Sequence, residues 1–244
     1  MISVCLASYN GELYIREQLN SILSQLGVDD EIIISDDSSN DGTIKVIQSY
    51  DDPRIILLES MPGTKKLGVV KNFERAIRHA SGDYIFLSDQ DDIWLEGKVT
   101  SVIDALQNNL LVVTDCRVVD LHLQEINKSF FQLRRSGKGV IKNILKNSYL
   151  GCCMAFQKEL LEVALPFPNK IAMHDIWLGC LADTLGQAYF IEQPFLLYRR
   201  HGKNASPTAE RSTLSLCDKI SYRLILVICL FFRLFTNRFW DKKI

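Results

Sequence analysis

The chain has 244 residues, of which 47% are hydrophobic, and a formal net charge of −1 at pH 7. This composition suits one α/β domain with an appended segment, and neither the charge nor any long basic block points to a nucleic-acid partner. The seven cysteines include no CxxC pair, so we expect apolar thiols in a reducing compartment rather than zinc ligands. A strand pattern begins at Ile2 without the charged region of a signal peptide, so we do not expect secretion.

The first half of the chain alternates predicted strands and helices. Predicted strands cover residues 2–7, 31–35, 54–58 and 84–87. Apolar residues recur at helical spacing from Ile15, and comparable stripes begin at Ile44, Val69 and Leu95. This alternation predicts a mostly parallel sheet with helices on both faces.

The regular alternation weakens in the second half. Residues 110–119 form a predicted strand, and residues 120–146 are polar with a basic cluster at Arg134, Arg135, Lys138, Lys142 and Lys146. A flexible loop is the default for that segment, and a lid on the acceptor side is the alternative. Further strands are predicted at 149–156, 188–191 and 195–198, with a short helix at 158–165 and an amphipathic helix from His174.

The tail has a different character. Residues 206–208 resemble a linker, and an unbroken apolar run, 224–232, lies between Arg223 and Arg233. Nine helical residues rise about 14 Å, well short of a hydrocarbon core of about 30 Å, so a spanning helix is disfavoured. Basic residues mixed with Phe and Trp fit a helix that lies in a membrane surface, and docking on the domain's own core is the alternative.

Three polar clusters follow predicted strands, at Ser8–Gly11, Asp36–Thr43 and Asp89–Asp92. Ligands of such sheets bind beyond the carboxyl ends of the strands. The last cluster places three carboxylates within four residues, which repel one another unless they bind a cation or share a proton. Magnesium commonly lies between carboxylates and a substrate's phosphates, so we predict a metal–diphosphate site. The alternative is a solvated acidic turn at a helix start.

Taken in order, these residues resemble the family-2 glycosyltransferases, which have the GT-A fold, a Rossmann-like domain that binds a nucleotide sugar. The resemblance spans residues 2–201, without a GxGxxG or a P-loop motif. Its pieces are Ala7–Gly11, Asp36–Thr43, Gly82–Ile85 with Asp89–Asp92, and His174-Asp175. Ser88–Trp94 and Tyr198–Asn204 look most like a bacterial rhamnosyltransferase branch.

The resemblance implies a division of the chain. It implies a GT-A domain over 1–205, with a nucleotide-sugar-binding half at 1–115 and an acceptor half at 116–205. Residues 206–244 would then form a linker and a membrane-associating amphipathic helical tail.

The resemblance also implies the residues that hold the donor. The nucleotide would contact Ala7, Tyr9, Asn10 and Asp37, where Asp37 can accept from a pyrimidine N3–H and Tyr9 can stack on the ring. A capping role is the alternative for Asp37, although Asn40 or Asp41 fills it more naturally.

Asp89 and Asp91 would hold Mg²⁺ or Mn²⁺, with Asp91 as the direct ligand, so that the metal neutralises the leaving diphosphate. Asp89 would also contact the donor. His201 would ligate the metal or bind phosphate, while Arg199 and Arg200 would clamp the diphosphate. An ordinary surface histidine is the alternative for His201, and Asp92 is left as a supporting group or a helix-start cap.

Inverting transfer needs a base for the acceptor hydroxyl, and the family places a carboxylate where Asp175 stands. The alternative for Asp175 is a helix cap. Many family members have Glu-Asp at this point, and the pair here is His174-Asp175, so the role of His174 stays open.

The predicted function is inverting, metal-dependent transfer of a sugar from a TDP-, UDP- or GDP-linked donor to a saccharide acceptor. The acceptor would be lipid-linked, in bacterial surface polysaccharide synthesis such as that of O-antigen or capsule. The protein would be cytoplasmic and peripheral at the inner membrane face. The alternatives are a nucleotidyltransferase of related fold and a non-catalytic module that binds nucleotide sugars or glycans. No motif specifies the sugar, the acceptor, the linkage or the oligomeric state.

Overall fold

The computed structural model describes residues 1–60, 65–201 and 216–236. The strands are β1 Ile2–Ser8, β2 Glu31–Asp36, β3 Ile55–Leu58, β4 Tyr84–Asp89, β5 Ile93–Trp94, β6 Leu111–Val119, β7 Glu125–Asn127, β8 Met154–Gln157 and β9 Ala188–Arg199. The α-helices are α1 Ile15–Leu23, α2 Thr43–Gln48, α3 Val69–His79, α4 Lys98–Leu106, α5 Phe130–Arg134, α6 Val140–Leu145, α7 Leu161–Ala164, α8 His174–Thr184 and α9 Leu216–Thr236. Short 3₁₀ turns cover Gly151–Cys153 and Lys158–Leu160.

The strands form one sheet in the order β3-β2-β1-β4-β8-β6-β9-β5, and β7 pairs with β6. Strands β3, β2, β1 and β4 are parallel neighbours. Strand β8 is antiparallel to both β4 and β6, and β9 is parallel to β6. The chain therefore has the α/β architecture that the alternation predicted, with helices packed around a central sheet. The first four strands are parallel neighbours, whereas β5, β7 and β8 pair antiparallel to theirs.

Helix α3 shows how the sequence pattern produces this packing. Its apolar residues Phe73, Ala76 and Ile77 recur at helical spacing and are all buried, and the helix contacts β1 and β2. Full burial of one such large side chain stabilises the fold by about 1.5–3 kcal/mol. The helix therefore lies firmly against the strands whose ends carry the polar clusters.

The strand register brings these clusters together. Ser8 at the end of β1 lies opposite Asp36 of β2, and Ala7 lies opposite Asp89 of β4. Residues 8–11, 36–43 and 89–92 therefore lie side by side at one edge of the sheet. This arrangement confirms the expectation that they share one edge.

The prediction of a flexible loop at residues 120–146 is wrong, because the segment contains β7, α5 and α6. Buried Asn143 donates to the carbonyls of Gly137 and Gly139, at 3.0 Å each. Asp183 of α8 accepts from the Gly139 amide at 2.7 Å and from the Tyr149 hydroxyl at 2.6 Å. These polar contacts, which no periodic pattern reveals, order the segment.

Two strand boundaries also differ from expectation. The strand predicted at 149–156 begins only at Met154, after the 3₁₀ turn Gly151–Cys153. The two strands predicted at 188–191 and 195–198 are one long strand, β9. Its register against β6 shifts at Asp115, which keeps the strand paired across the polar residues between the two apolar runs.

Helix α9 packs against α6 and α8. Leu226 and Leu230 are buried there, and Arg233 donates to the carbonyls of Val163 and Leu165, at 2.8 and 2.9 Å. One face of the tail thus docks on the domain. Within the ranges described, no helix has both the length and the apolar character required to cross a bilayer. The predicted linker at 206–208, and Phe239 and Trp240, lie outside the described residues, as do positions 202–204 of the sequence motif.

Candidate active site

A cavity of about 340 Å³ lies beside the carboxyl ends of β1, β2 and β4. Its lining includes six of the predicted site residues, namely Ala7, Tyr9, Asp37, Asp89, Asp91 and Asp175. Further lining residues come from α3 and from the Gly151 turn. The predicted nucleotide end, the acidic run (the cluster Asp89–Asp92) and the predicted base Asp175 therefore open into one space.

At the nucleotide end, the carboxylate of Asp37 accepts from two backbone amides. They are those of Leu67 and Gly68, at 2.7 and 2.9 Å. The ammonium of Lys66 lies 3.9 Å from the centroid of the Tyr9 ring and contacts its hydroxyl. The segment before α3 thus closes over Tyr9 and Asp37, and base binding by these two residues stays a prediction.

The loop after β1 is held by the side chain of Gln90, which belongs to the acidic run. Its amide oxygen accepts from the Tyr9 amide at 2.8 Å, and its nitrogen donates to the Tyr9 carbonyl at 2.9 Å. Asn10 has a φ of 53° and accepts from the Asn40 amide at 2.8 Å, so its side chain ties two loops together. Asn10 is exposed and does not line the cavity.

The acidic run has the electrostatics of a cation site. Burial, with the negative charges of Asp91 and Asp175, raises the pKa of Asp89 to about 7. Burial beside Asp91 and Asp89 also raises the pKa of Asp92 well above its usual value. Asp92 is fully buried, and its Oδ2 has no hydrogen-bond partner among the described residues. A divalent ion removes this repulsion and supplies the missing partner, so these residues fit a metal.

The sulfur of Cys152 joins this group. One ligand atom from each of Asp89, Asp92 and Cys152 lies within 4.8 Å of the others. The sequence predicted Asp89, Asp91 and His201 as metal ligands and left a supporting role to Asp92. The geometry groups Asp92 and Cys152 with Asp89. The buried ammonium of Lys98 donates to the Cys152 carbonyl at 2.9 Å.

Asp91 lies opposite His201, whose Nε2 is 2.8 Å from the Asp91 Oδ2. His201 therefore reaches the acidic run, although it is not among the residues that line the cavity, and its role toward a metal or a phosphate stays a prediction. Its ring also stacks on Tyr14, with 5.1 Å between centroids. This position differs from the alternative of an ordinary surface histidine.

Arg199 lies beside the acidic run, and neither Arg199 nor Arg200 is among the residues that line the cavity. Arg199 is buried, donates from Nε to the Asp91 carbonyl at 2.9 Å and forms an ion pair with Glu17 at 2.5 Å. Its amide donates to Asp92 Oδ1 at 3.0 Å. Arg200 lies over the Tyr198 ring, 5.9 Å from the centroid. Arg199 thus supports the acidic run, and diphosphate binding by either arginine stays a prediction.

Asp175 lies in the first turn of α8 and is buried in the cavity wall. Its Oδ1 accepts from the Ile176 amide at 2.5 Å, and the Asn147 side chain also bonds to it. Burial nevertheless raises the pKa of Asp175 to about 7. A carboxylate with that pKa is suited to take a proton near neutral pH. Met173, rather than Asp175, occupies the cap position of the helix.

Sequence reasoning missed several lining residues, including Lys66, Asn72, Gly151 and Tyr198. Buried Asn72 bridges two strands, because it donates to the Ser8 carbonyl at 3.3 Å and accepts from Ser35 at 2.6 Å. A polar residue in the apolar face of a predicted helix was the available signal for Asn72. For Cys152, the sequence offered no comparable signal, since its only distinguishing feature is the adjacent Cys153.

The family model described as glycosyl transferase family 2 matches residues 3–164. The dTDP-rhamnosyl transferase RfbG of Shigella flexneri is 32% identical over 235 residues, which cover 89% of this chain and 81% of that protein. The Escherichia coli protein WfgD is named a UDP-Glc:alpha-D-GlcNAc-diphosphoundecaprenol beta-1,3-glucosyltransferase. It is 28% identical over 187 residues, which cover 75% of this chain and 71% of WfgD.

Solved structures share the fold at lower identity. TarS 1-349 of S. aureus, crystallised with UDP-GlcNAc, superposes with a TM-score of 0.70 at 18% identity, over 93% of this chain and 66% of that one. The mannosyltransferase PcManGT of Pyrobaculum calidifontis, in complex with GDP-Man and Mn²⁺, has a TM-score of 0.59 at 19% identity, over 97% and 64%. The chain thus spans about two thirds of the length of these crystallised proteins.

Proposed function

This chain belongs to glycosyl transferase family 2, and from that premise we propose that it is an inverting, metal-dependent transferase acting from a nucleotide-sugar donor. One observation carries the proposal. Asp37, the acidic run and Asp175 line the same cavity, although they come from three separate parts of the chain. A donor bound with its nucleotide at Asp37 and its diphosphate at Asp89 and Asp91 would present its sugar to Asp175.

The donor in this proposal is a nucleotide-linked hexose or deoxyhexose. The relative that is 32% identical over 89% of this chain is named a dTDP-rhamnosyl transferase, which supports dTDP-rhamnose as the first donor to test. The other structures described above were solved with UDP-GlcNAc or GDP-Man, so UDP- and GDP-linked sugars are the next candidates.

The proposed metal ligands are drawn from Asp89, Asp91, Asp92, Cys152 and His201. Bound Mg²⁺ or Mn²⁺ would neutralise charge on the leaving diphosphate. The oxygen donors favour either ion, and a neighbour of the same fold was solved with Mn²⁺. Arg199 holds the acidic run in place through the Asp91 carbonyl and the Asp92 carboxylate.

Asp175 is the proposed general base. Its carboxylate takes the proton from the acceptor hydroxyl as that oxygen bonds to the anomeric carbon. The bond from that carbon to the diphosphate breaks on the opposite face, so the configuration inverts and the nucleoside diphosphate leaves. Asn147 and the Ile176 amide fix the orientation of the carboxylate.

The proposed acceptor is a lipid-linked saccharide. The protein would bind it while attached peripherally to the cytoplasmic face of the membrane. The face of α9 turned away from the domain exposes Leu224, Ile228, Phe231 and Phe235 at helical spacing. Arg223 of α9 donates to the Leu145 carbonyl of α6 at 2.5 Å. Helix α6 itself exposes Ile141 and Leu145, and no carboxylate occurs between Glu125 and Glu159. Apolar side chains beside basic residues are typical of an anionic lipid surface.

The substitution Asp175→Asn tests the proposal. We expect sugar transfer to fall by about 10²- to 10⁴-fold, because the amide cannot take the proton. Binding of the nucleotide sugar, measured by calorimetry with Mn²⁺, should stay close to that of the wild type. Asp104→Asn is the matched control, since Asp104 is an exposed aspartate on α4 outside the cavity.

Turnover of Asp175→Asn at the wild-type rate would remove Asp175 as base. Product stereochemistry, read from the anomeric proton by NMR, tests inversion separately. A nucleotidyltransferase would instead release pyrophosphate, and a non-catalytic module would bind donor without releasing any nucleoside diphosphate.

A further inference from the structure

His174 has an unusual environment for a histidine. It is only 2% exposed, and neither ring nitrogen has a hydrogen-bond partner among the described residues. Buried polar side chains are nearly always hydrogen-bonded, because an unmade bond costs the full loss of hydration. The residue lines the same cavity as Asp89 and Asp175. A ligand in that cavity is therefore the natural source of the missing bonds.

The neighbours of the ring hold it in place but leave its polar atoms unsatisfied. The imidazole stacks on Phe73 of α3, with 4.1 Å between centroids and 29° between planes. On another side is Gly151, where a Cβ would lie only 2.8 Å from Nε2. A glycine is thus required for the ring to keep this position. The packing orients the imidazole as a rigid part of the wall.

The ring is neutral under physiological conditions. Burial lowers the pKa of His174 to about 3, so one nitrogen carries a hydrogen and the other has a free lone pair. Neighbouring hydroxyls of a sugar offer the matching acceptor and donor. A carboxylate in this position, such as the glutamate of many family members, could only accept.

We propose that His174, with Phe73 and Gly151, forms a subsite for the hydroxyl groups of the donor sugar, and that residue 174 helps to select that sugar. The inference rests on the proposed function. The anomeric carbon must lie between the diphosphate at the acidic run and Asp175, so the ring attached to it must occupy the cavity beside His174. The acceptor approaches Asp175 from the opposite face of that carbon. Phe73 belongs to the predicted nucleotide-sugar-binding half (residues 1–115, the donor half), which also favours the donor sugar over the acceptor.

Calorimetry with paired ligands tests the subsite without a known acceptor. The probes are dTDP-rhamnose, UDP-glucose and GDP-mannose, each compared with its nucleoside diphosphate in the presence of Mn²⁺. For whichever pair the wild type binds, His174→Phe should lower the affinity for the nucleotide sugar about tenfold, because a hydrogen bond to the sugar is lost. Affinity for the nucleoside diphosphate should not change. His174→Gln, which keeps a donor and an acceptor, should recover part of the loss.

Two controls separate this role from a purely structural one. The melting temperature of His174→Phe should equal or exceed that of the wild type, since an apolar ring removes two unsatisfied nitrogens. Gly151→Ala should reproduce the selective loss, because the new methyl group displaces the imidazole.

Three outcomes overturn the subsite. One is an unchanged sugar affinity in His174→Phe, and another is an equal loss for the nucleotide sugar and its nucleoside diphosphate. If the wild type binds no nucleotide sugar at all, the proposed function fails and the subsite with it. The first two results leave the proposed function intact, so the two failures are distinguishable.

Discussion

The two halves of the domain are built differently. In residues 1–115, the neighbouring strands β3, β2, β1 and β4 are parallel, and their carboxyl ends carry the polar clusters. In residues 116–201, strand β8 runs against its neighbours, the helices are mostly short, and polar contacts such as Asn143 with Gly137 hold the chain. The first half presents its site residues along one edge, whereas the second supplies them from a helix start, a 3₁₀ turn and the residues that follow β9.

Under the proposed function, residues 1–115 form the donor half and residues 116–201 the acceptor half, and the two halves divide the work of the site. The donor half contributes Asp37 and the acidic run, which suit the nucleotide and the diphosphate. The acceptor half contributes Asp175, and also Cys152 and His201, which reach across to the acidic run. In this proposal neither half contains a complete metal site, so changes at the metal ligands on either side should affect metal-dependent donor binding, whereas Asp175→Asn should affect transfer alone.

The largest effect on binding should come from the acidic run. Asp91→Asn and Asp92→Asn in the donor half should each weaken binding of a nucleoside diphosphate with Mn²⁺ by about 10- to 100-fold, through loss of a metal ligand or its partner. His201→Ala in the acceptor half should also weaken binding of the nucleoside diphosphate with Mn²⁺. Calorimetric titration measures each, with Asp104→Asn as control.

If His201→Ala binds as the wild type does, the metal site belongs to the donor half alone. If the aspartate variants also bind normally with Mn²⁺, the metal ligands proposed for the acidic run are wrong.

The next prediction concerns the two faces of α9, which docks on the acceptor half. Leu226→Ala or Leu230→Ala should each lower the free energy of unfolding by about 2 kcal/mol, because each removes buried methyl groups. Phe231→Ser with Phe235→Ser should leave stability nearly unchanged, since both rings are more than half exposed. That pair should instead reduce binding to phosphatidylglycerol vesicles, as measured by flotation.

Flotation of the double Phe variant at the wild-type level would exclude the exposed face of α9 as a membrane contact. Deletion of the helix is a weaker experiment, because it also uncovers the surface where Leu226 and Leu230 pack.

The last prediction concerns pH dependence. The pKa values of Asp89 and Asp175 are raised to about 7, so the folded protein binds protons more tightly than the unfolded chain. The contribution of these two carboxylates to metal-free stability should therefore fall as pH rises from about 4 to about 7, whereas His174, whose pKa is lowered to about 3, contributes in the opposite direction. Because the Mn²⁺ ion must displace carboxylate protons, its apparent affinity should increase as the pH is raised towards 7. The increase should be about tenfold per pH unit for each proton displaced.

Thermal unfolding with and without Mn²⁺ at pH 5 and pH 7.5 measures both trends. Equal stabilisation by the metal at the two pH values would mean that Asp89 does not release a proton when the ion binds.

The sequence determined most of the donor half. Alternating strands and helices predicted parallel strands, and that arrangement alone places Ser8, Asp36 and Asp89 at one edge. Local sequence patterns are sufficient to predict this half, because hydrophobic periodicity and the order of strands and helices can be read from short segments. The positions of Asp37, Asp91 and Asp175 in a common cavity followed from motifs and from the family resemblance.

Only the tertiary structure decided the rest. Contacts between residues far apart in sequence order the segment 120–146, where a flexible loop was expected. Such contacts also bring Cys152 close to Asp89 and Asp92. They also buried His174 against Phe73, about 100 residues away along the chain. Burial and proximity set the pKa values of Asp89 and Asp175, and both depend on neighbours that no local pattern names.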